Sequence, residues 1–427
     1  MAESSLFAAF GAVLGYIGSE VATKRCLEQL LWPQRHYSNF TLGSFLMLAF
    51  FMPMGGPLFK PALEALDTIF SHGLFRGSSQ GHMLGTVFFP QLSWSYTMHE
   101  HGDQSQSRTG NIRNCLWVRT LAYINIPRLH CCSQSASSDD LEKGRVCHDL
   151  ASPPVRARTA FSHLTLARPT TKEMSSLDIP FVKEDPGRPG PRVFLAICAA
   201  ETSAILCAVG VSVAFRSPWC VLWLAPLILR LTSALFALHR EPLISTSSST
   251  GDDPARDFEI HCPQAEGSFM IITGPPALVL QFVRHYGHPI RSRTREAFQY
   301  FAIVVFACQF PFGLFCSVVW MPIKVQYVWV SYQLYVVLAA HVVRYSSLGR
   351  STTTEAKLTQ CLGQATAALF GHKRGSSNTI KASVVATYHD RYSLGRAAAD
   401  QLLRRHELRQ DQAINTPEAL SIDDLNQ

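Results

Sequence analysis

The stretch that decides the reading is Val193–Phe215, VFLAICAAETSAILCAVGVSVAF, followed after Arg216-Ser217-Pro218 by Trp219–Leu238, WCVLWLAPLILRLTSALFAL. Each run holds a single charged residue, and each matches the ~20 residues that cross about 30 Å of hydrocarbon. Pro218 falls where a helix has to stop, because proline lacks the N–H that the next turn needs. Together they predict a transmembrane hairpin. Phe298–Trp320, Met321-Pro322-Ile323-Lys324 and Val325–Val343 repeat the layout. Trp219, Trp223, Trp320, Tyr327 and Trp329 gather near the two turns, as aromatic rings do at the headgroup level.

Further spans are expected upstream. Phe40–Phe59 is free of charge, though Pro53, Gly55 and Gly56 interrupt it. Met83–Met98 is also uncharged but short, and Leu6–Ile17 is shorter still. The latter reads as a span, an interfacial helix or a packed N-terminal helix, and its Gly11 and Gly15 would let a second helix approach closely. The fold class expected is an all-α membrane bundle of 6–7 transmembrane helices, with a small cytoplasmic β-β-α element and a disordered insert. The mean hydropathy of +0.09 hides this, since it averages apolar blocks with long polar stretches.

The expected division runs as follows. Residues 1–98 form an N-terminal membrane region with two or three spans. Residues 99–191 carry twelve cations, from Arg108 to Arg188, among few aromatics. Such a composition buries too little apolar surface to offset ordering entropy, so the segment reads as a disordered insert, with intron read-through as an alternative source. Residues 192–238 and 297–344 are the hairpins. Residues 239–296 are a cytoplasmic loop in which Phe258, Ile260 and Cys262 alternate with polar residues, as in a half-buried strand. Phe269–Thr273 is a second strand, and Pro275-Pro276 opens a helix over Ala277–Tyr286. Residues 345–427 are a cytoplasmic tail. There Thr352 and Glu355 have capping-box spacing ahead of one amphipathic helix, and a second, basic helix lies around Leu394–Leu408.

Arg188, Arg192, Arg240, Arg284, Arg291, Arg293, Arg295, Arg344, Arg350 and Lys357 flank the outer ends of the hairpins, whereas each turn holds one cation. By the positive-inside rule the turns face away from the cytoplasm and the C-terminus faces it, in an endomembrane or the plasma membrane. The net charge of +7 is of this kind. No basic face with stacking aromatics points to nucleic acid.

Glu201 and Arg230 are the most informative residues, because a charge in lipid costs about 2.5–3.5 kcal/mol unless it finds a partner. Glu201 lies 16 residues before Ser217 and Arg230 lies 13 after it. At about 1.5 Å per residue their depths differ by ~4.5 Å, within side-chain reach. An ion pair is expected, serving as a structural clip or as a relay or ligand counter-ion; no further acid or base joins them in sequence, which favours the clip. Gln309 and Gln333 lie at similar depths in the second hairpin and form a milder polar pair. Pro311 frees the carbonyl of Ala307 as another partner for Gln309. In the run Arg284-His285-Tyr286-Gly287-His288-Pro289-Ile290-Arg291-Ser292-Arg293 the candidates for anionic headgroup contact are Arg284, His285, His288, Arg291 and Arg293. The bland alternative is ordinary positive-inside charge. The spacing of His285 and His288 lacks a third metal ligand, and His130-Cys131-Cys132 with Cys147-His148 lacks the C-x₂₋₄-C pairs of a zinc site, so neither metal nor other cofactor is expected. Ser245–Thr250 beside Asp252 and Asp253 could accept phosphate.

Phe258–Arg344, centred on QFVRHYGHPIRSR (Gln281–Arg293), resembles uncharacterised polytopic membrane proteins of filamentous fungi, as do YIGSE (Tyr16–Glu20) and HGLFRGSSQGH (His72–His82). The resemblance covers about half the chain, skips His99–Pro191, and implies topology without chemistry. No catalytic cluster stands out, and His285 and His288 have no obvious acidic partner for a lipid-modifying enzyme. The sequence therefore favours a non-enzymatic scaffold or regulatory membrane protein. The alternative is a small-solute or ion transporter or channel built on Glu201 and Arg230. The expected partner is the lipid bilayer, with anionic headgroups, and not nucleic acid.

Asn39-Phe40-Thr41 is the single N-x-[ST] sequon and falls on the predicted cytoplasmic side. It is expected to stay unmodified, so glycosidase treatment of protein from a eukaryotic host should leave its electrophoretic mobility unchanged.

Overall fold

The computed structural model describes residues 2–22, 24–71, 94–99, 107–114, 116–130, 159–244, 254–261, 268–346, 348 and 352–415. Among them, eight strands form one mixed sheet: β1 (Ser95–Met98), β2 (Arg108–Asn111), β3 (Thr159–Ala167), β4 (Phe181–Lys183), β5 (Arg256–His261), β6 (Ser268–Gly274), β7 (Ala367–Gly371) and β8 (Ile380–His389). Their spatial order is β2-β1-β5-β6-β3-β8-β7-β4. β3 is parallel to β6 and antiparallel to β8, and β4 is parallel to β7.

This sheet overturns the all-α expectation. The isolated β-β-α element is there, as the antiparallel pair β5–β6 followed by helix Pro276–Leu280, but it is the middle of a larger layer. Segment 99–191, expected to be disordered, supplies the central strand β3 together with β2, β4 and helix Leu116–His130. The tail is mixed too. Helix Thr354–Ala365 starts at Thr353, whose Oγ1 accepts the Ala356 N–H, and β7 and β8 follow before helix Tyr392–Asn415.

The span count is also lower. Two helices, Pro218–Leu235 and Arg293–Val319, are long and apolar enough to cross a membrane. Pro191–Ala200 and Thr202–Phe215, bent by 59°, make a third if taken as one. Helix Ile323–Ser346 exists, but Lys324, Gln326, Ser331, Gln333, His341 and Arg344 hold it below that apolarity. Phe40–Phe59 is no continuous helix. It contains Phe45–Phe51 and then non-helical chain to Leu58, before helix Phe59–Ser71 begins. Pro53, Gly55, Gly56 and Pro57 account for the break. Of Met83–Met98, only residues 94–98 are described, and Ser95–Met98 is β1. His72–His82, Cys131, Cys132, Cys147, His148 and Ser245–Thr250 lie outside the described residues.

Alternation explains the strands. In β3, Leu164 and Leu166 enter the main sheet core with Met270, Ile272, Phe258, Ala382 and Val384. Helices Leu116–His130 and Thr354–Ala365 cover that face through Trp117, Leu121, Leu358 and Leu362. The opposite parity, Phe161 with Phe269 and Ile271, packs under Ala399, Leu402 and Leu403 of the last helix. At the β4 edge the Asn39 carboxamide does the work of a strand: its Nδ2 donates to the Lys183 carbonyl at 3.0 Å and its Oδ1 accepts the Lys183 N–H at 2.9 Å. A sheet edge closed this way offers no free pairing groups there.

In the helical layer the first hairpin turns at Arg216, which adopts a left-handed conformation (φ 48°), before the Pro218–Cys220 turn. Trp219 and Trp320, from the two hairpin tips, stack at 6.4 Å, and Tyr327 meets Phe7 at 4.9 Å. Helix Ala2–Val21 lies against both helices of the second hairpin. The close approach expected of Gly11 and Gly15 is intramolecular, since an added Cβ at Gly15 would fall 2.7 Å from Phe310 Cε1 and one at Gly11 would strike Leu314. Gly18 is equally tight, with Val337 Cγ2 at 2.7 Å and Pro57 closer still.

Gly18→Leu should therefore destabilise the protein by about 1–3 kcal/mol through overpacking, seen as a lower Tm in detergent. Gly210→Ala, where nothing lies within 4 Å, should leave Tm unchanged or slightly raised, because alanine suits a helix interior better.

Candidate functional site

Glu201 sits at the bend between helices Pro191–Ala200 and Thr202–Phe215. Its Oε1 accepts from Arg230 Nη1 at 2.6 Å and from the Met54 N–H at 3.0 Å. Arg230 Nη2 donates to Tyr37 Oη at 2.7 Å, and Nη1 also faces the Met52 carbonyl at 3.5 Å. Glu201 is 0% and Arg230 1% exposed. The ion pair read from helical depth is thus present, with partners that the sequence did not signal: the Tyr37 hydroxyl and backbone groups of the unwound segment 52–58. That segment can stay non-helical because Glu201 caps one of its N–H groups, and buried irregular chain persists where its polar groups are satisfied by protein. Glu201 Oε2 and Arg230 Nε have no hydrogen-bond partner among the described residues.

Gln309 and Gln333 are not brought together by any hydrogen bond among the described residues. Gln333 Nε2 donates to the Gly55 carbonyl at 3.0 Å, so it too braces the unwound segment. Gln309 is half-buried, and its Oε1 has no partner among the described residues. The cationic run is exposed at Arg284, His285, Arg291 and Arg293. Arg284 is already engaged, donating to Tyr96 Oη and lying 5.6 Å over its ring, and Arg293 donates to Glu296 at 3.1 Å. Burial first, and then the positive charge of Arg113, lower the His288 imidazole pKa to about 4. It is neutral at physiological pH and adds no charge to the patch.

A cavity of about 330 Å³ lies on the other side of the unwound segment. Met52, Met54 and Gly56 of that segment, Val21 of the first helix, and Val337 and Ala340 of helix Ile323–Ser346 are among its walls. Gln29 and Arg344 also line it, while Glu201 and Arg230 do not. The cavity therefore shares the unwound segment with the ion pair but does not reach it.

The most densely charged place is the junction between helices and sheet, which sequence reasoning missed. Arg35, buried, pairs with Glu28 and Glu355. The Thr354 hydroxyl donates to the Arg35 carbonyl at 3.1 Å, and Gln34 Nε2 to the Gly187 carbonyl at 2.9 Å. Arg240 lies 3.5 Å over the Trp32 ring and donates to the Gly287 carbonyl at 2.9 Å. Tyr286 Oη donates to Asp185 at 2.8 Å, and His372 Nδ1 approaches Glu184 at 3.3 Å. Burial raises Asp185 to about 6 and Glu184 to about 7, and lowers Arg240 to about 9. The Arg35 ion pairs outweigh desolvation and hold Glu355 below its ordinary value. No single signal in the sequence marks this cluster: its members come from six separate segments. Groups of three or more potential metal ligands do not occur among the described residues.

Compared with protein-family models, with curated proteins and with solved structures, the chain matches none.

Two outcomes are expected. Glu201→Leu or Arg230→Met alone should destabilise by about 3–5 kcal/mol, since each strands a buried charge, whereas the double variant should recover most of that loss; Tm in detergent decides it. The second concerns pH. A carboxyl raised above its unfolded value adds stability in full below the unfolded pKa and loses it as pH rises through the folded pKa. Asp185 and Glu184 should therefore stabilise increasingly as pH falls from about 7.5 to about 5. Asp185→Asn should flatten that slope, while Glu355, shifted the other way, costs stability only as pH falls further, below the ordinary carboxylate range. An unchanged slope in Asp185→Asn would contradict the assignment.

Proposed function

We propose that this chain is a multi-pass integral membrane protein without enzymatic activity, which holds a mixed-sheet domain against one membrane face and acts there as a scaffold or regulator. The observation that carries the reading is the inverted polarity of the helical layer. Leu206, Val209, Val213, Phe301, Phe312 and Leu338 are exposed, while Glu201, Arg230, Gln299 and Gln333 are buried. A water-facing layer would be arranged the other way, and an apolar exterior this extensive suits lipid.

The sheet supports a definite pattern of crossings. β4 precedes the first hairpin and β5 and β6 follow it, while β6 precedes the second hairpin and β7 follows it. All four strands belong to one sheet, so each hairpin has to return the chain to the side from which it left. Helix Ile323–Ser346 would then cross back as the partner of Arg293–Val319. Its polar Gln326 and Gln333 face inward, and Tyr327, Leu334, Leu338 and Val342 line its exposed side. The basic residues flanking the hairpins favour the cytoplasmic side for the sheet and the C-terminus. Arg291 and His285 are exposed at that surface and suit anionic headgroups, whereas Arg284 and Arg293 are already engaged by Tyr96 and Glu296.

The Glu201–Arg230 pair is sealed and matched in charge, which favours a clip over a relay. One observation favours the transporter alternative: an unwound segment facing a helix broken at a buried carboxylate, as in solute carriers with discontinuous helices. Alkaline carbonate washing should leave the protein in the membrane pellet, and extraction into the supernatant would refute the membrane reading. Reconstituted liposomes should show no ion or proton flux above protein-free controls. Flux that Glu201→Gln abolishes would establish transport instead.

A further inference from the structure

We infer that the 330 Å³ cavity beside the unwound segment binds a single-chain anionic amphiphile, a fatty acyl carboxylate or a lysophospholipid, with its chain between the helices and its head at Arg344. The volume lies at the lower end of the roughly 300–1,000 Å³ range of small-molecule sites, enough for one chain but not for a bulky ring system with its own headgroup. The walls decide the chemistry of the tail. Val21, Val336, Val337 and Ala340 are aliphatic, and Met52 and Met54 supply adaptable thioethers, which tolerate a flexible chain.

Two polar groups decide the head. Arg344 lies at the mouth, exposed, in the last turn of helix Ile323–Ser346. One of its nitrogens donates to the Glu20 backbone carbonyl at 2.6 Å, leaving the rest of the guanidinium fork for a carboxylate or phosphate. The neighbouring Glu20 carboxylate is itself paired with Lys60 at 2.6 Å, so it does not neutralise Arg344. Inside, Gln29 is 7% exposed, lines the cavity, and among the described residues donates only to the Met52 thioether at 3.9 Å. A buried carboxamide with so weak a partner lacks the hydrogen bonds that such groups normally make, and a ligand ester or carboxyl oxygen would supply one. Because Arg344 lies in the last turn of helix Ile323–Ser346, the end that leads on in sequence to β7, the ligand would enter from the leaflet on the sheet side, where anionic lipids concentrate if that side is cytoplasmic. Only this route of entry depends on the membrane reading; binding itself does not.

The test uses the full chain purified in non-ionic detergent and radiolabelled palmitate retained through gel filtration. The wild type should retain about one palmitate per chain. Ala340→Trp, which fills the cavity, should lose retention by at least about tenfold, with Val343→Trp as the alternative if that variant does not fold. Arg344→Gln should weaken palmitate by about tenfold, the scale of one charge-assisted contact, while displacement of the label by hexadecanol stays unchanged. Stronger displacement by lysophosphatidate than by unlabelled palmitate would assign the head to phosphate, and the reverse to carboxylate. Retention that is absent in the wild type, or equal in the wild type and the filled variants, would overturn the proposal.

Discussion

A guanidinium that lies among apolar helices cannot be left alone, and much of this structure follows from how Arg230 is satisfied. Its cost in a low-dielectric setting is several kcal/mol, and no single side chain offsets that. Three elements converge on it: Glu201 from the bend of a broken helix, the Met52 carbonyl from an unwound segment, and Tyr37 from the short helix Pro33–Tyr37. Each is unusual by itself. Together they are mutually required, since the bend presents the carboxylate, the carboxylate caps the Met54 N–H, and that cap lets the chain between Phe51 and Phe59 remain irregular.

The same short helix carries the constraint outward. One side of residues 32–39 faces Arg230 through Tyr37. The other side reaches the sheet through Arg35 with Glu355, Trp32 with Arg240, Gln34 with Gly187 and Asn39 with Lys183. Eight consecutive residues thus join the apolar layer to the sheet almost entirely by polar contacts. Such contacts are directional and reward one geometry, so the two halves are held in a defined relation rather than by sliding hydrophobic surfaces. The raised Asp185 and Glu184 pKa values are a by-product of packing so much charge where water is scarce.

The legible and illegible parts of the sequence divide along a physical line. Helix-scale apolar runs are readable because each is local: the helices on either side of Pro218, the tight turn there, the aromatic tips and the depth match of Glu201 with Arg230 all follow from residues close in sequence. β5 and β6 were readable as a hairpin for the same reason. What failed was non-local. β3 is nine residues, TAFSHLTLA, in a segment rich in cations, and its mixed alternation gains meaning only beside Val384 and Ile272. The segment around it therefore looked incapable of a core, when it actually completes one. The span count failed in the opposite direction. Phe40–Phe59 and Val325–Val343 have the length of a span, yet one is interrupted by Pro53 and Gly55, and the other carries polar residues, of which Gln333 braces the unwound segment. The junction was invisible, because Arg35, Asp185, Arg240, Tyr286 and Glu355 look like unrelated surface residues until the fold assembles them.

The pairing of β3 with β8 has a consequence for how the chain is made. Thr159 lies opposite His389, and the whole of both hairpins is translated between them. The ribosome therefore releases β3 long before its neighbour on that side exists. Closing so long a loop is slow, and an open strand edge waiting in the meantime is prone to wrong pairing. Biogenesis should depend on a holding factor that covers this edge, and release of a chain shortened before Ile380 would leave it permanently bare.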